Sequence, residues 1–402
     1  HHSVHGGSND ENLFLIDGTP LYQVNHSLGL FSSFNSDMIK NVDFYKSGFP
    51  ARYGGRLSSV IDVRTRDGDF NHFHGSFRIG LLDGSLQFEG PIRKGRTSYN
   101  IGLRRSWLDL LTRPIFAIHN KKNDKNDDDI TLNYFFHDFN AKVTNIFSDR
   151  SRLSLSVYSG EDRIHTKDEL KDDDINETEL NEFNMNWGNL NAALNWEYVF
   201  SPKLFANFTA VYTHNVSKYK FLYDQRVVSK SGPHAGETSV TYMEYGYRST
   251  IDDLGYRLAF DYRPSPRHHI RFGQDYTFHM FHPQTRKHKN YYGTGTAVDS
   301  LDRKSSYRNN ANEWNVYAED EVTLNQHWSF NVGLNVTMFS ITGKWFVNAD
   351  PRLAIKYQPM EKLSFKTSLT SMTQYVHKIS NSFLELPTDY WVATTSRLKP
   401  MR

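Results

Sequence analysis

The sharpest chemical pattern in the chain is Arg52-Tyr53-Gly54-Gly55-Arg56. Adjacent glycines permit positive φ in a tight turn. The flanking guanidiniums present planar forks that grip carboxylates bidentately and do not deprotonate. Such a turn can latch one part of a fold to another, or it can be an ordinary surface turn with solvated arginines. Asp17-Gly18 is a turn signal in any fold. Asp124, Asn126 and Asp128 imitate the start of a calcium loop, but Asp129 stands where glycine belongs and Phe135 where the closing glutamate belongs. That run, and Asp172-Asp173-Asp174, therefore read as solvated loops. Among the 18 histidines, His1-His2, His5 and His268-His269 cluster. His268 and His269 follow a tight turn, where adjacent strand side chains point to opposite faces, so they cannot share one ion. Cysteine is absent, which removes thiolate metal sites and thiol nucleophiles. A Ser/His/Asp hydrolase would need convergent residues that nothing local requires. No catalytic, cofactor or metal residue is assigned, and the chain is not read as an enzyme.

The elements that must position these residues follow from composition and period. Mean hydropathy is −0.64, and no stretch reaches the ~18 to 20 apolar residues of a membrane-crossing helix. An aromatic content of 14% is too high for a disordered chain. The 47 basic and 45 acidic residues nearly cancel, so global charge gives no argument for nucleic acid. The chain opens without Met and stops in a polar stretch, and we read it as a piece of a longer precursor.

A compositional shift falls near residue 68. Before it, Leu13 to Ile16, Ile39 to Tyr45 and Ser59 to Val63 read as short strands of a small domain. After it, two-faced alternation recurs. Leu190, Ala192, Leu194, Trp196 and Tyr198 alternate with Asn189, Asn191, Ala193, Asn195 and Glu197. Phe330, Leu334 and Phe272 stand on apolar faces, with Asn331, Asn335 and Arg271 opposite. Tight turns at Ser148 to Ser151, Ser201 to Lys203, Arg263 to Arg267, Asn325 to His327 and Gln358 to Lys362 alternate with long connections. The latter are polar loops of roughly 25 to 30 residues: Ser106 to Asn133, Gly160 to Asn186, Tyr223 to Ser249 and His282 to Asn312. The Ser340 to Ala349 connection is short.

Short turns at one end and long loops at the other, with strands apolar on one face, are the pattern of a transmembrane antiparallel β-barrel. The fold class is thus all-β. About 13 strands lie between Phe73 and Gln374, spanning roughly 80 Å of perimeter. That is an incomplete barrel, about three fifths of a 22-stranded barrel with a filled lumen. Leu194, Phe330, Leu334 and Phe272 should face lipid, and Asn195, Asn331, Asn335 and Arg271 the lumen. Trp187, Trp328, Tyr198 and Tyr262 read as interfacial girdle residues.

The first segment adds specificity. Gly6 to Tyr22, with its strand ending Asp17-Gly18-Thr19-Pro20, resembles the plug domain of TonB-dependent outer-membrane receptors. So does Ile39 to Val63, where the Arg-Tyr-Gly-Gly turn precedes a strand leading to the barrel. With Gly90-Pro91-Ile92 and Arg104 to Asp109, the resemblance is closest to receptors of the Bacteroidota. It implies residues 1–68 as the C-terminal half of a plug and 69–402 as the N-terminal part of the barrel. It implies a bacterial outer-membrane location and import of a scarce or large nutrient, energised by TonB with ExbB-ExbD through an N-terminal segment outside this chain. A small-molecule, glycan or peptide ligand and a surface lipoprotein partner follow from the same likeness. Arg52 and Arg56 would then reach carboxylates on the inner wall, with Arg64 or Arg66 the next candidates. A passive barrel or surface-binding protein with a fixed constriction is the competing reading.

Overall fold

The computed structural model describes residues 12–20, 36–45, 59–122, 127–173, 176–230, 232–233, 235–293 and 299–370. The Arg52 to Arg56 turn lies outside them. Ahead of residue 66, β1 (Asn12–Ile16), β2 (Thr19–Pro20), β3 (Ile39–Tyr45) and β4 (Ser59–Thr65) form a four-stranded sheet in the order β2-β1-β4-β3. Parallel pairing of β1 with β4 brings together segments far apart in sequence. Leu15, Ile16, Met38 and Val63 are buried around this sheet. Asp17 and Gly18 make the turn between β1 and β2 with φ of 48° and 82°. Glycine adopts such values without strain, and aspartate is among the few other residues that tolerate them.

The second sheet holds 14 strands. They are β5 (His74–Ile79), β6 (Asp83–Arg93), β7 (Thr97–Ser106), β8 (Asp127–Ser148), β9 (Ser151–Asp172), β10 (Glu177–Ser201) and β11 (Leu204–Val228). Then come β12 (Thr238–Ser265), β13 (His268–Tyr292), β14 (Asp299–Ser306), β15 (Asn309–Thr323), β16 (Trp328–Ile341), β17 (Lys344–Met360) and β18 (Leu363–Thr370). Thirteen form one continuous antiparallel path, and β14 pairs only with the upper part of β13, beyond the stretch that β15 occupies. The sheet is not closed: among the described residues β5 and β18 each pair on one side only.

Polar residues occupy one face and apolar residues the other. Asn100, Asp138, Asn140, Asn191, Asn215, Asp253 and Asn335 are buried, whereas Leu194, Leu254, Phe272 and Leu334 are exposed. A greasy exposed face over a polar, hydrogen-bonded interior inverts a soluble fold and matches a wall with lipid outside. The tight turns lie where the alternation places them.

Three expectations need correction. The long connections are not loops. Gly160 to Asn186 continues as β9 and β10 in unbroken register up to the Asp172–Glu177 pair, and Tyr223 to Ser249 and much of His282 to Asn312 do likewise. Water wets both faces there, so apolar alternation fades while the backbone ladder persists. The Ser106 to Asn133 connection contains a helix, α1 (Leu108–Lys122). Its Leu108, Leu111, Ile115 and Ile118 recur at helical spacing; α1 is too short and polar to cross a membrane. Finally, Trp187 is 5% exposed and shares the inward face with Asn189 and Asn191, so it is no girdle residue. Trp328 and Tyr262 are exposed at the short-turn end, where Trp328 lies 4.5 Å from Tyr357, ring to ring.

Candidate functional site

The small sheet meets the inner wall through the linker that follows β4. The Asp67 carboxylate lies 3.1 Å from Lys142 Nζ and 3.4 Å from an Arg152 guanidinium nitrogen. Thr144 Oγ1 donates to it at 2.8 Å. Lys142 and Thr144 alternate inward on β8, and Arg152 does so on β9. Burial raises the Asp67 pKa, but Lys142's charge, hydrogen bonds from Thr144 and Lys142, and Arg152's charge outweigh it and hold the carboxyl below its ordinary range. Lys142 Nζ also donates to the Thr65 carbonyl at 3.1 Å.

One residue earlier, Arg66 clamps both parts of the molecule. Its guanidinium donates to the Asp37 carbonyl at 3.0 and 2.9 Å, and to Glu89 Oε1 on β6 at 3.2 Å. Glu89 is almost fully buried and accepts the Asp69 amide at 2.8 Å. Asn100 of β7 donates to the Arg66 carbonyl at 3.2 Å. Gly68 passes so close to β7 that an added Cβ would lie 1.9 Å from the Tyr99 carbonyl oxygen. Only glycine fits that approach.

The β1–β2 turn makes the second contact. Asp17 accepts hydrogen bonds from the Thr65 amide and hydroxyl, which ties the turn to the end of β4. Thr19 Oγ1 donates to the Ile16 carbonyl at 2.6 Å and accepts from Asn191 of β10 at 2.9 Å. A Cβ on Gly18 would meet Arg257 of β12 at 3.2 Å. Gly18→Val should cost about 1 to 2 kcal/mol in the turn, because a β-branched residue resists positive φ. Protease susceptibility of the small domain, measured with the wall intact, checks this.

The wall itself is cross-braced. Arg104 on β7 pairs with Asp138 on β8 at 2.6 Å, both buried. His279 sits between Asp253 at 2.7 Å and Glu313 at 3.1 Å, so neither ring nitrogen is left to serve a nucleophile. His268 and His269 turn to Asp320 and Asp261 respectively. Among the described residues no group of His, Asp or Glu side chains is arranged to hold a metal ion.

Of the sequence candidates, Asp17 bonds to Thr65 within its own sheet, and Gly18 in the same turn lies beside Arg257 of β12. Arg52, Tyr53, Gly54, Gly55 and Arg56 lie outside the described residues. Arg66 reaches the wall; Arg64 turns to Asp62 within its own strand. Sequence reasoning missed Asp67, Lys142, Thr144, Arg152 and Glu89. The one signal was Thr65-Arg66-Asp67-Gly68 at the compositional boundary, since polar partners on β6, β8 and β9 look like any other inward residue.

Comparison with known proteins agrees with this architecture. The siderophore receptor PiuA from Acinetobacter baumannii superposes with a TM-score of 0.57 at 13% identity, over 92% of this chain and 58% of that one. The RagAB peptide transporter gives 0.60 at 8% identity, over 91% and 54%. The outer membrane transporter YddB from Escherichia coli gives 0.57 at 12% identity, over 95% and 56%. The chain thus spans a little more than half the length of these structures. No curated protein matches by sequence. Residues 106–400 match the TonB dependent receptor-like β-barrel. With that match over most of its length, and a one-sided apolar antiparallel wall, the chain belongs to the TonB dependent receptor-like β-barrel family.

Proposed function

We propose that this chain is the C-terminal half of a plug (residues 1–68) and the N-terminal part of the barrel (69–402) of a bacterial outer-membrane receptor. It imports a nutrient too scarce or too large for passive diffusion, energised by TonB with ExbB-ExbD acting on a segment outside this chain. The supporting observation is how the small sheet is held. Among the described residues, ion pairs and hydrogen bonds at Arg66, Asp67 and Thr19 join it to the wall. Polar contacts in a wet lumen exchange readily for water, so the small sheet can open at low local cost. The wall's own ladder stays intact meanwhile. The Arg52 to Arg56 turn supplies further wall contacts in this reading. A small-molecule, glycan or peptide ligand and a surface lipoprotein partner belong to the same reading; siderophore receptors and a peptide transporter both stand among the structural neighbours.

Growth on candidate nutrients, with and without TonB, tests the reading in the full-length receptor. Deleting TonB should abolish receptor-dependent uptake while surface binding of ligand persists. Uptake that is unchanged without TonB would make the protein a passive barrel with a fixed constriction.

A further inference from the structure

Above the membrane the apolar alternation fades, except on β10 to β12, where it returns with its sense reversed. Phe183, Phe221 and Tyr245 form one cross-strand row on these three strands, with Met185, Tyr219 and Tyr247 in the row beneath. Tyr223 and Met243 stand side by side one row higher. Side chains alternate along a strand, so these residues share the inward face with Trp187 on β10, Ser217 on β11 and Ile251 on β12, all buried. The reverse face of the same stretch carries Asn184 and the Lys220–Glu244 ion pair instead. The Tyr219 ring lies 6.3 Å from Phe183, 5.9 Å from Tyr245 and 5.4 Å from Tyr247. Phe221 is 37% exposed, and Met185, Tyr219 and Tyr245 are half-buried, so the patch opens toward the mouth of the lumen.

Charge is confined to the borders of this patch. On one side Tyr245 stands opposite Lys287 of β13, which stands opposite Arg303 of β14, and Met243 stands opposite Lys289. Lys287 and Arg303 are exposed, and among the described residues no carboxylate engages any of the three cations. At the other corner, Glu177 and Glu179 on β10 lie above Tyr223. Burial, and then the charges of Glu179 and Glu177, push the Tyr223 phenol above its ordinary range. Glu179 accepts a hydrogen bond from Asn181 at 3.3 Å, and Glu177 accepts one from Gln225. The cationic and anionic borders are roughly 15 to 20 Å apart, from the spacing and rise of the strands.

Resting on the import reading above, we infer that this patch seats a short, free-ended peptide with apolar side chains. Its carboxylate lies toward Lys287, Lys289 and Arg303, and its ammonium toward Glu177 and Glu179. A face wetted by water has no reason of its own to gather contiguous aromatic and apolar side chains, and such patches mark binding surfaces. Met185 and Met243 are unbranched and polarizable, so the patch adapts to side chains of different shape. An extended chain advances about 3.3 to 3.6 Å per residue, so about five or six residues reach from one charged border to the other. The hydroxyls of a glycan would be left short of partners on these rows, which costs free energy. A multiply anionic small molecule would find cations along one border only.

The test is calorimetry on the purified full-length receptor in nanodiscs, with the free-ended hexapeptide LFAFLA, the polar hexapeptide SNGSNG and maltohexaose as probes. The wild type should bind LFAFLA at least roughly tenfold more tightly than either other probe. Phe221→Ser/Tyr245→Ser should weaken LFAFLA by roughly tenfold, the loss expected for two partly buried apolar contacts. Lys287→Gln/Arg303→Gln should abolish the advantage of the free carboxylate over an amidated end. Lys220→Gln, on the reverse face of β11, should change nothing. Heat-modifiable mobility in gels checks that each variant keeps its barrel. Equal binding of the two hexapeptides, unchanged binding in the Phe221/Tyr245 double variant, or tighter binding of maltohexaose overturns the inference. These readouts need no TonB, so they are separate from the import reading, which receptor-dependent uptake persisting in a TonB-deleted strain overturns by itself.

Discussion

Asp67→Lys in the full-length receptor should release the small sheet from the wall without unfolding the barrel. The substitution sets a third cation beside Lys142 and Arg152, which Asp67 now joins. Breaking a fully buried pair costs ~3 to 5 kcal/mol, and this one is partly exposed, so about 2 kcal/mol is the reasonable expectation. That corresponds to roughly thirtyfold more of the undocked form. Leakage of an antibiotic too large for closed lumens should rise, while the thermal transition of the barrel stays put. Restoring the pair in reverse, Asp67→Lys with Lys142→Asp, should recover part of the closure. Unchanged leakage in the single variant, at normal abundance, would move the latch to Arg66 or to the Arg52 to Arg56 turn. The same contact sets a pH limit. Asp67 has a lowered pKa when docked, so its contribution is present above the undocked value near 3.8 and is lost as pH falls through the docked value beneath it. Docking should therefore be insensitive to pH near neutrality and weaken only below about pH 4.

Leu334→Arg should cost about 2 to 4 kcal/mol in bilayer-embedded protein, the expected cost of a cation near the midplane. Leu334 is 46% exposed and lies on β16 midway between Trp328 and Ser340, the residue paired with Trp345. Trp328 and Trp345 are themselves exposed on the outer wall and mark its two aromatic borders. On the lumenal face, Asn335 points inward as expected but is fully buried and accepts a hydrogen bond from Thr337, so it has no room for arginine. Asn331 is the fair comparison. It is half-buried and stands opposite Glu321, where a new guanidinium gains a partner. Asn331→Arg should change stability far less than Leu334→Arg, as read by urea unfolding from vesicles. Equal losses at the two sites would contradict the assignment of faces.

Alternation alone determined the wall of this protein. Leu194 against Asn195, Phe272 against Arg271 and Leu334 against Asn335 assign lipid and lumen, because strand side chains strictly alternate and only one face meets hydrocarbon. The short turns were legible for a related reason, as their proline, serine and Asx residues interrupt that period. Beyond the membrane the signal fails. Water on both faces removes the pressure for apolar alternation, so the upper halves of β9 to β13 read as loops although their backbone ladders run on. The tertiary structure alone decided where the small sheet docks. Asp67 meets Lys142 and Arg152 across 75 and 85 positions of sequence, and the register of β8 and β9 is what brings them to one point. Each is individually an unremarkable polar residue, and the contact between them exists only because the curved wall and the linker share that space.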